Sequence, residues 1–157
     1  IGDNVLICPG TRIDSASGVK IKSNCMLAAG TYLTDADWHD VYDRTKPIGI
    51  TRPITLEENV WIGDSTIVCK GVTIGKNSII GAGSVVASDI PSGVIAAGNP
   101  AAPIKKLSDE KSLVTRDSIF ADLDLLDRNN RAIDEIALAD NTLFGWVRNK
   151  FFPHSGD

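Results

Sequence analysis

Aliphatic residues recur at every sixth position along most of the chain. Residues 56–91 divide into LEENVW, IGDSTI, VCKGVT, IGKNSI, IGAGSV and VASDIP with nothing left over. The first column of this frame is Leu56, Ile62, Val68, Ile74, Ile80 and Val86. A helix places apolar residues three or four apart and a flat strand alternates them, so a period of six belongs to neither. The fourth column, Asn59, Ser65, Gly71, Asn77, Gly83 and Asp89, favours residues that reach positive φ at low cost. The fifth, Val60, Thr66, Val72, Ser78, Ser84 and Ile90, is small or β-branched and suits close stacking of one turn on the next. A chain that corners every six residues around an aliphatic interior forms a β-solenoid, with coils hydrogen-bonded at about 4.8 Å.

Residues 1–33 keep the same beat as IGDNVL, ICPGTR, IDSASG and, after Val19-Lys20, IKSNCM and LAAGTY. Their corner residues are Asn4, Gly10, Ala16, Asn24 and Gly30. Eight of the eleven corners in the two blocks are Asn or Gly, so both belong to one solenoid. The extra Val19-Lys20 pair is expected to bulge out at a corner. Glycine-rich pieces such as Gly81-Ala82-Gly83 lack the Lys-Ser/Thr ending of a phosphate-binding loop, and the repeat already accounts for their glycines.

Residues 34–53 break the beat. Long irregular excursions inside compact domains are uncommon and often functional. This one gathers Asp35, Asp37, Trp38, His39, Asp40, Tyr42, Asp43 and Arg44, and holds the one histidine of the repeat region. Its acidic residues lack the glycine pattern of a calcium loop, so they read as a solvated turn and no metal is expected. On composition alone, His39 is as well explained by a surface or structural histidine as by a base.

Beyond Pro91, Gly98-Asn99-Pro100 and Pro103 end the regular coils, and Lys105-Lys106 follow. Residues 108–157 change character. Ser108 with Asp109-Glu110 suggests a helix start, followed by the helical spacing of Leu113, Ile119, Phe120, Leu123 and Leu126. A polar break at Asn129-Asn130 is expected, then a second segment with Ile133, Ile136, Ala137 and Leu138 on its apolar side, ending near Asn141. In the last stretch Leu143, Phe144, Trp146, Val147, Phe151 and Phe152 stand beside Arg148 and Lys150. That segment either packs on the solenoid or a neighbouring subunit, or makes peripheral membrane contact through residues 142–152. The expected organisation is a β-helical domain over 1–107, with the 34–53 loop inserted, and a C-terminal helical extension over 108–157.

The chain has 157 residues and a formal charge of −4, which argues against a general nucleic-acid binder. Three cysteines, Cys8, Cys25 and Cys69, have no metal-site spacing and suit a reduced, cytoplasmic protein. No apolar run reaches membrane-spanning length. Because Ile1-Gly2-Asp3 opens a hexad without an initiator Met, further coils or a cap are expected upstream.

The hexads, the loop with one histidine, Asn59-Val60-Trp61-Ile62-Gly63 and Gly98-Asn99-Pro100-Ala101 together resemble the hexapeptide-repeat acyltransferases, in the maltose/galactoside and xenobiotic O-acetyltransferase branch. The resemblance covers residues 1–107. It implies a left-handed parallel β-helix, a homotrimer, acetyl-CoA in clefts between subunits and a small carbohydrate acceptor. The handedness comes from the resemblance, since crossovers are otherwise right-handed. The resemblance makes His39 the general base, with Asp37 or Asp40 or a backbone carbonyl orienting it. It places the acceptor among Asp37, Trp38, Tyr42 and Arg44. The pantetheine arm would lie near Trp61, Gly63, Ala82 and Gly83, and the phosphates near Ser88, Lys105 and Lys106. Ser88 and Ala102 stand where relatives often carry cations, and His39 follows Trp38 where relatives commonly have Thr or Ser. The leading reading is therefore acetyl-CoA-dependent O-acetylation of a sugar or glycan precursor. The alternatives are N-acetylation of an amino sugar and a non-catalytic trimeric scaffold. A γ-class carbonic anhydrase needs three histidine ligands, and the chain holds only His39 and His154.

Overall fold

The computed structural model describes residues 1–108, 110–139 and 142–151. Asp109, Asn141, Phe152 and His154 lie outside the described residues, as do the side chains of Trp146 and Arg148.

Each coil lays down short strands between corners. The first holds β1 (Leu6–Ile7), β2 (Arg12–Asp14) and β3 (Val19–Ile21), and the second β4 (Met26–Leu27), β5 (Tyr32–Thr34) and β6 (Ile54–Leu56). The third holds β7 (Trp61–Ile62), β8 (Ile67–Val68) and β9 (Thr73–Ile74), and the fourth β10 (Ile79–Ile80) and β11 (Val85–Val86). Corresponding strands of successive coils pair in parallel. One face is β1-β4-β7-β10 continued by β12 (Val94–Gly98), the second is β2-β5-β8-β11 and the third is β3-β6-β9. After Gly98 the chain reverses, and β13 (Ala101–Lys106) pairs antiparallel with β12, covering the edge of the first face. Three parallel sheets around one interior make the expected left-handed parallel β-helix.

Register stacks the aliphatic column. Leu27, Ile62, Ile80 and Ala96 align on the first face, and Leu33, Val68 and Val86 on the second. On the third, Ile21, Leu56, Ile74 and Ile90 align. All eleven are buried. The fifth column is buried too, from Val60 and Thr66 to Ser84 and Ile90, so each hexad sends two side chains inward. Its hydroxyls find carbonyls: Ser78 Oγ donates to Pro91 O at 2.7 Å, and Ser84 Oγ to Gly81 O at 2.6 Å. Among the described residues no buried side-chain polar atom lacks a partner.

Nine of the eleven corner residues have positive φ, five of them Asn or Ser. The two exceptions show how a corner is made otherwise. At Asp89 the carboxylate accepts from Thr73 N at 2.6 Å, and Ile90 turns inward two residues early to pair with Ile74. At Ala16 the corner is longer. The anticipated bulge at Val19-Lys20 is instead strand, with Val19 and Lys20 registered against Ile54 and Thr55. Val19 packs on the core, and the surplus length goes into the turn at residues 15–18.

Asp35, from the next coil, holds that turn. Its fully buried carboxylate accepts from Ser15 Oγ at 2.8 Å, from the N–H of Ala16 at 2.7 Å and of Ser17 at 2.8 Å, and from the N–H of Gly18. Burial pushes this carboxyl's pKa up, but the four hydrogen bonds outweigh it and the net shift is down.

Residues 117–157 form a second unit, within which the described helices are α1 (Asp117–Phe120), α2 (Leu123–Ala137) and α3 (Leu143–Phe151). The helix expected from Ser108 does not form; Ser108 Oγ accepts from Glu110 N, and the β-branched Val114-Thr115 pair leads to a start at Asp117. The expected break at Asn129-Asn130 is also absent. Each Asn costs α2 only about 0.5 kcal/mol. The Asp122 cap, accepting from Leu125 N at 2.9 Å, and the Asp127–Arg131 pair at 2.6 Å offset that cost. None of the described helices is long and apolar enough to cross a membrane.

Asp35→Ala removes the shared acceptor of the Ala16, Ser17 and Gly18 N–H groups and of the Ser15 hydroxyl, and is expected to destabilise the solenoid by about 2–3 kcal/mol. Because the folded-state pKa of Asp35 is lowered, its contribution is present above the unfolded value near 4 and is lost as pH falls through the folded one. Thermal unfolding followed from pH 7 to pH 2 should therefore show the gap between wild type and Asp35→Asn closing at the acid end. A gap constant with pH would contradict this account.

Candidate active site

The excursion at residues 34–53 leaves the solenoid after β5 and rejoins it at β6. Its two ends are zipped together. Arg52 N donates to Asp35 O at 2.9 Å, Asp37 N to Ile50 O at 2.9 Å and Gly49 N to Asp37 O at 2.7 Å. Ala36 and Thr51 form an antiparallel bridge between them. Gly49 permits this closure, since a Cβ there would fall 2.5 Å from His39 O and 3.2 Å from Asp37 Cβ. The backbone of His39 is thus pressed against a position that tolerates only hydrogen.

Three side-chain contacts fix the stretch before the histidine. Asp35 ties the loop's base to the first coil, as above. Lys70, on the third coil, pairs with Asp37 Oδ1 at 2.5 Å. Trp38 Nε1 donates to Thr34 Oγ1 at 3.0 Å. The remaining acids are spent on turns. Asp40 accepts from the N–H groups of Tyr42 and Asp43, and Asp43 from the N–H and hydroxyl of Thr45, which holds both carboxyls below their ordinary range. Among the described residues no cluster of His, Cys, Asp and Glu is arranged for a metal.

His39 is exposed and lines an open cavity of about 910 Å³. Asp37, Trp38, Asp40, Arg44 and Lys70 line the same cavity, with Tyr32, Thr34, Ala36 and Val41. The imidazole accepts or donates no hydrogen bond among the described residues, so neither Asp37 nor Asp40 orients it in this chain. Tyr42, grouped with the acceptor residues on sequence, is 99% exposed and is not part of the lining. Lys70, Tyr32 and Thr34 were missed. Their signal was available: each lies on the outward side of a coil at or beside the corner from which the loop departs.

The residues assigned to the cofactor gather elsewhere. Trp61 stands 45% exposed on the outer side of β7. Gly63 is buried against the next coil, where a Cβ would meet Ala82 N and Ile80 O at 2.6 Å. Ala82 and Gly83 are exposed on that coil, and Gly83 N donates to Asp64 O at 2.8 Å. These four therefore share one edge of the prism, the corner between the first and second faces. Ser88 is exposed just past β11, at the next edge. Lys105 and Lys106 lie on β13 opposite Ile95 and Val94, and Lys106 lines a separate hollow with Lys76 and Lys111. None of these seven lines the His39 cavity.

Residues 53–88 match the family model for bacterial transferase hexapeptides (six repeats), and residues 1–35 match the hexapeptide repeat of succinyl-transferase. The galactoside O-acetyltransferase of Escherichia coli (strain K12) is 40% identical over 111 residues, covering 69% of this chain and 44% of that enzyme. That of Lactococcus lactis subsp. lactis (strain IL1403) is 36% identical over 106 residues, covering 68% and 49%. The solved structure of a galactoside acetyltransferase in complex with coenzyme A matches with a TM-score of 0.60 at 37% identity, covering 68% of this chain and 56% of that one. The chain spans about half the length of the curated relatives it matches. A six-residue repeat that two family models match in both of its blocks, folded into stacked three-sided coils, places this chain in the hexapeptide-repeat acyltransferase family.

Proposed function

We propose that the protein transfers an acetyl group from acetyl-CoA to a hydroxyl of a sugar or glycan precursor, with His39 as general base. One observation carries the reading: an exposed imidazole, without a hydrogen-bond partner among the described residues, stands on a braced loop and lines an open cavity with Asp37, Trp38, Asp40, Arg44 and Lys70. The galactoside O-acetyltransferases among the relatives, and the solved complex of a galactoside acetyltransferase with coenzyme A, support the two substrates.

His39 takes the proton of the acceptor hydroxyl as its oxygen attacks the thioester carbonyl. The tetrahedral adduct collapses with cleavage of the C–S bond, and the imidazolium returns the proton to the departing sulfur. The direct transfer needs no side-chain nucleophile and no metal. Trp38 and Arg44 contact the acceptor. Asp37 acts through Lys70, holding the loop. Trp61, Gly63, Ala82 and Gly83 form the wall for the pantetheine arm, with Ser88, Lys105 and Lys106 nearer the phosphates. Since that wall and the His39 cavity lie on different edges of the prism, a homotrimer that sets the edge of one copy against the loop of the next completes the site.

His39→Ala is expected to lower kcat for acetyl transfer by about 10²–10⁴-fold while acetyl-CoA binding changes little. Thiol release over a panel of sugars and amino sugars, paired with calorimetry of acetyl-CoA binding, measures both. Unchanged turnover would remove the base from the mechanism.

Lys70→Met frees Asp37 and is expected to cost about 10–100-fold in kcat with a smaller effect on the KM for acetyl-CoA. Exchanging the charges, with Asp37→Lys and Lys70→Asp together, should recover part of that loss. Failure of the exchange together with an unaffected single variant would show that the ion pair does not position the loop.

A further inference from the structure

We propose that a hollow on the third edge of the prism binds the phosphate of a small phosphomonoester. Acetyl transfer, as proposed above, uses the other two edges, so this site goes beyond that reading and does not depend on it. The third edge joins the third face to the first, and Asn4, Asn24, Asn59, Asn77 and Gly93 are its corners. Where the chain leaves β13, Leu107 N donates to Gly93 O at 2.8 Å. Further on, Arg116 Nε donates to Asn4 O at 3.1 Å, at the corner of the first coil. Residues 107–116 are therefore a strap tied to the edge at both ends. A hollow of about 520 Å³ is lined by residues of both strap and edge. That volume lies within the roughly 300–1,000 Å³ typical of small-ligand sites.

The lining is cationic from both sides. Lys76, Asn77 and Ser92 come from the edge, Lys106 from the end of β13 and Lys111 from the strap. Successive residues of a strand project to opposite sides, so Lys106 turns into the hollow and away from Lys105. No carboxylate is among the lining residues. Glu58, one coil back on the same edge, pairs with Lys22 at 3.4 Å and lines a different hollow. The neutral groups add donors. Asn59 Nδ2 donates to Asn77 Oδ1 at 3.0 Å, which occupies the amide oxygen of Asn77 and leaves its NH2 to donate. Ser92 brings a hydroxyl, and Gly75 makes room for it, since a Cβ there would fall 2.6 Å from Ser92 Oγ.

This arrangement selects a compact dianion. Three ammonium groups around one hollow repel one another and focus a positive field into it. Each donates hydrogen bonds and accepts none, so the fitting ligand group consists of acceptors. A phosphomonoester supplies three acceptor oxygens and a charge of about −1.5 to −2 at neutral pH. Such a charge answers three lysines better than the single charge of a carboxylate or a phosphodiester. Leu107 and the half-exposed Leu113 line the same hollow and give the ester's carbon skeleton an apolar wall. A phosphate held by both Lys76 and Lys111 bridges the coils and the strap.

Inorganic phosphate and glycerol phosphate are titrated calorimetrically into wild type, Lys76→Ala, Lys111→Ala and, as a control outside the hollow, Lys20→Ala. All three lysines are exposed, so their loss leaves the core intact. Lys76→Ala and Lys111→Ala are each expected to weaken binding about tenfold, as loss of a charge-assisted hydrogen bond predicts, while Lys20→Ala changes it less than about twofold. Amide exchange across residues 107–113 should slow when either phosphate is added. Acetyl-CoA affinity should stay unchanged in both variants, and a protein that binds the phosphates but acetylates nothing keeps this site while the acetyl-transfer reading falls. Absence of binding by wild type overturns the site, as does binding that the two variants share or that leaves exchange in the strap unchanged. A matching loss of acetyl-CoA affinity in the variants overturns it in favour of the cofactor. Capture by phosphatidylglycerol vesicles with no binding of either soluble phosphate overturns it in favour of a lipid surface.

Discussion

The backbone of this protein must corner every six residues, and it can do so tightly only by passing through positive φ or by borrowing a side chain to hold the turn. Everything else follows from that constraint. Five of the nine positive-φ corners are not glycine, and each costs about 1–3 kcal/mol, with Asn at the low end. Each corner sets two further side chains inward, and burying a Val, Leu or Ile contributes about 1.5–3 kcal/mol. Burial therefore outweighs the cost of turning by a clear margin. The repeat persists because every coil gains more than its corners lose.

A solenoid made this way can be lengthened at one corner without disturbing the stack, because the strands on either side keep their register with the coils above and below. The loop bearing His39 uses this freedom. Tyr32–Thr34 and Ile54–Leu56 remain in register with Ile67–Val68 and Thr73–Ile74 although nineteen residues separate the strands. The corner above carries its own short insertion, and Asp35 locks the two irregular turns to each other. One buried carboxylate thus serves both the fold and the departure point of the loop. The Lys70–Asp37 pair and the Gly49–His39 approach then carry that rigidity from the wall to the imidazole.

The same geometry explains why the loop's acids are poor partners for the histidine. A short polar loop must satisfy its own backbone, and Asp40 and Asp43 do so by accepting from N–H groups two or three residues onward. Asp37 is drawn to the lysine beneath it. The imidazole is left facing the cavity with no carboxylate bonded to it among the described residues, although Asp37 and Asp40 line the same cavity as Trp38, Arg44 and Lys70.

The solenoid was legible in the sequence because a six-residue period is local information: Ile62, Gly71 and Asn77 carry the inward and cornering roles that their columns assign them. The loop could be located and its histidine singled out for the same reason, since a break in a strict period is as visible as the period. The helices after residue 116 were less legible, because ends and breaks there turn on half-kilocalorie differences among Asn, Val and Thr that caps and ion pairs reverse. What the tertiary structure alone decided was which residues meet across coils. Lys70 is 33 positions from Asp37, and Asp35 is 17 to 20 positions from the turn it holds. Arg12, Asp14 and Tyr32 come together only when the first coil stacks on the second. Period fixes what faces inward, but contact between outward side chains depends on how far each corner has been stretched, and that length is set by folding around the core.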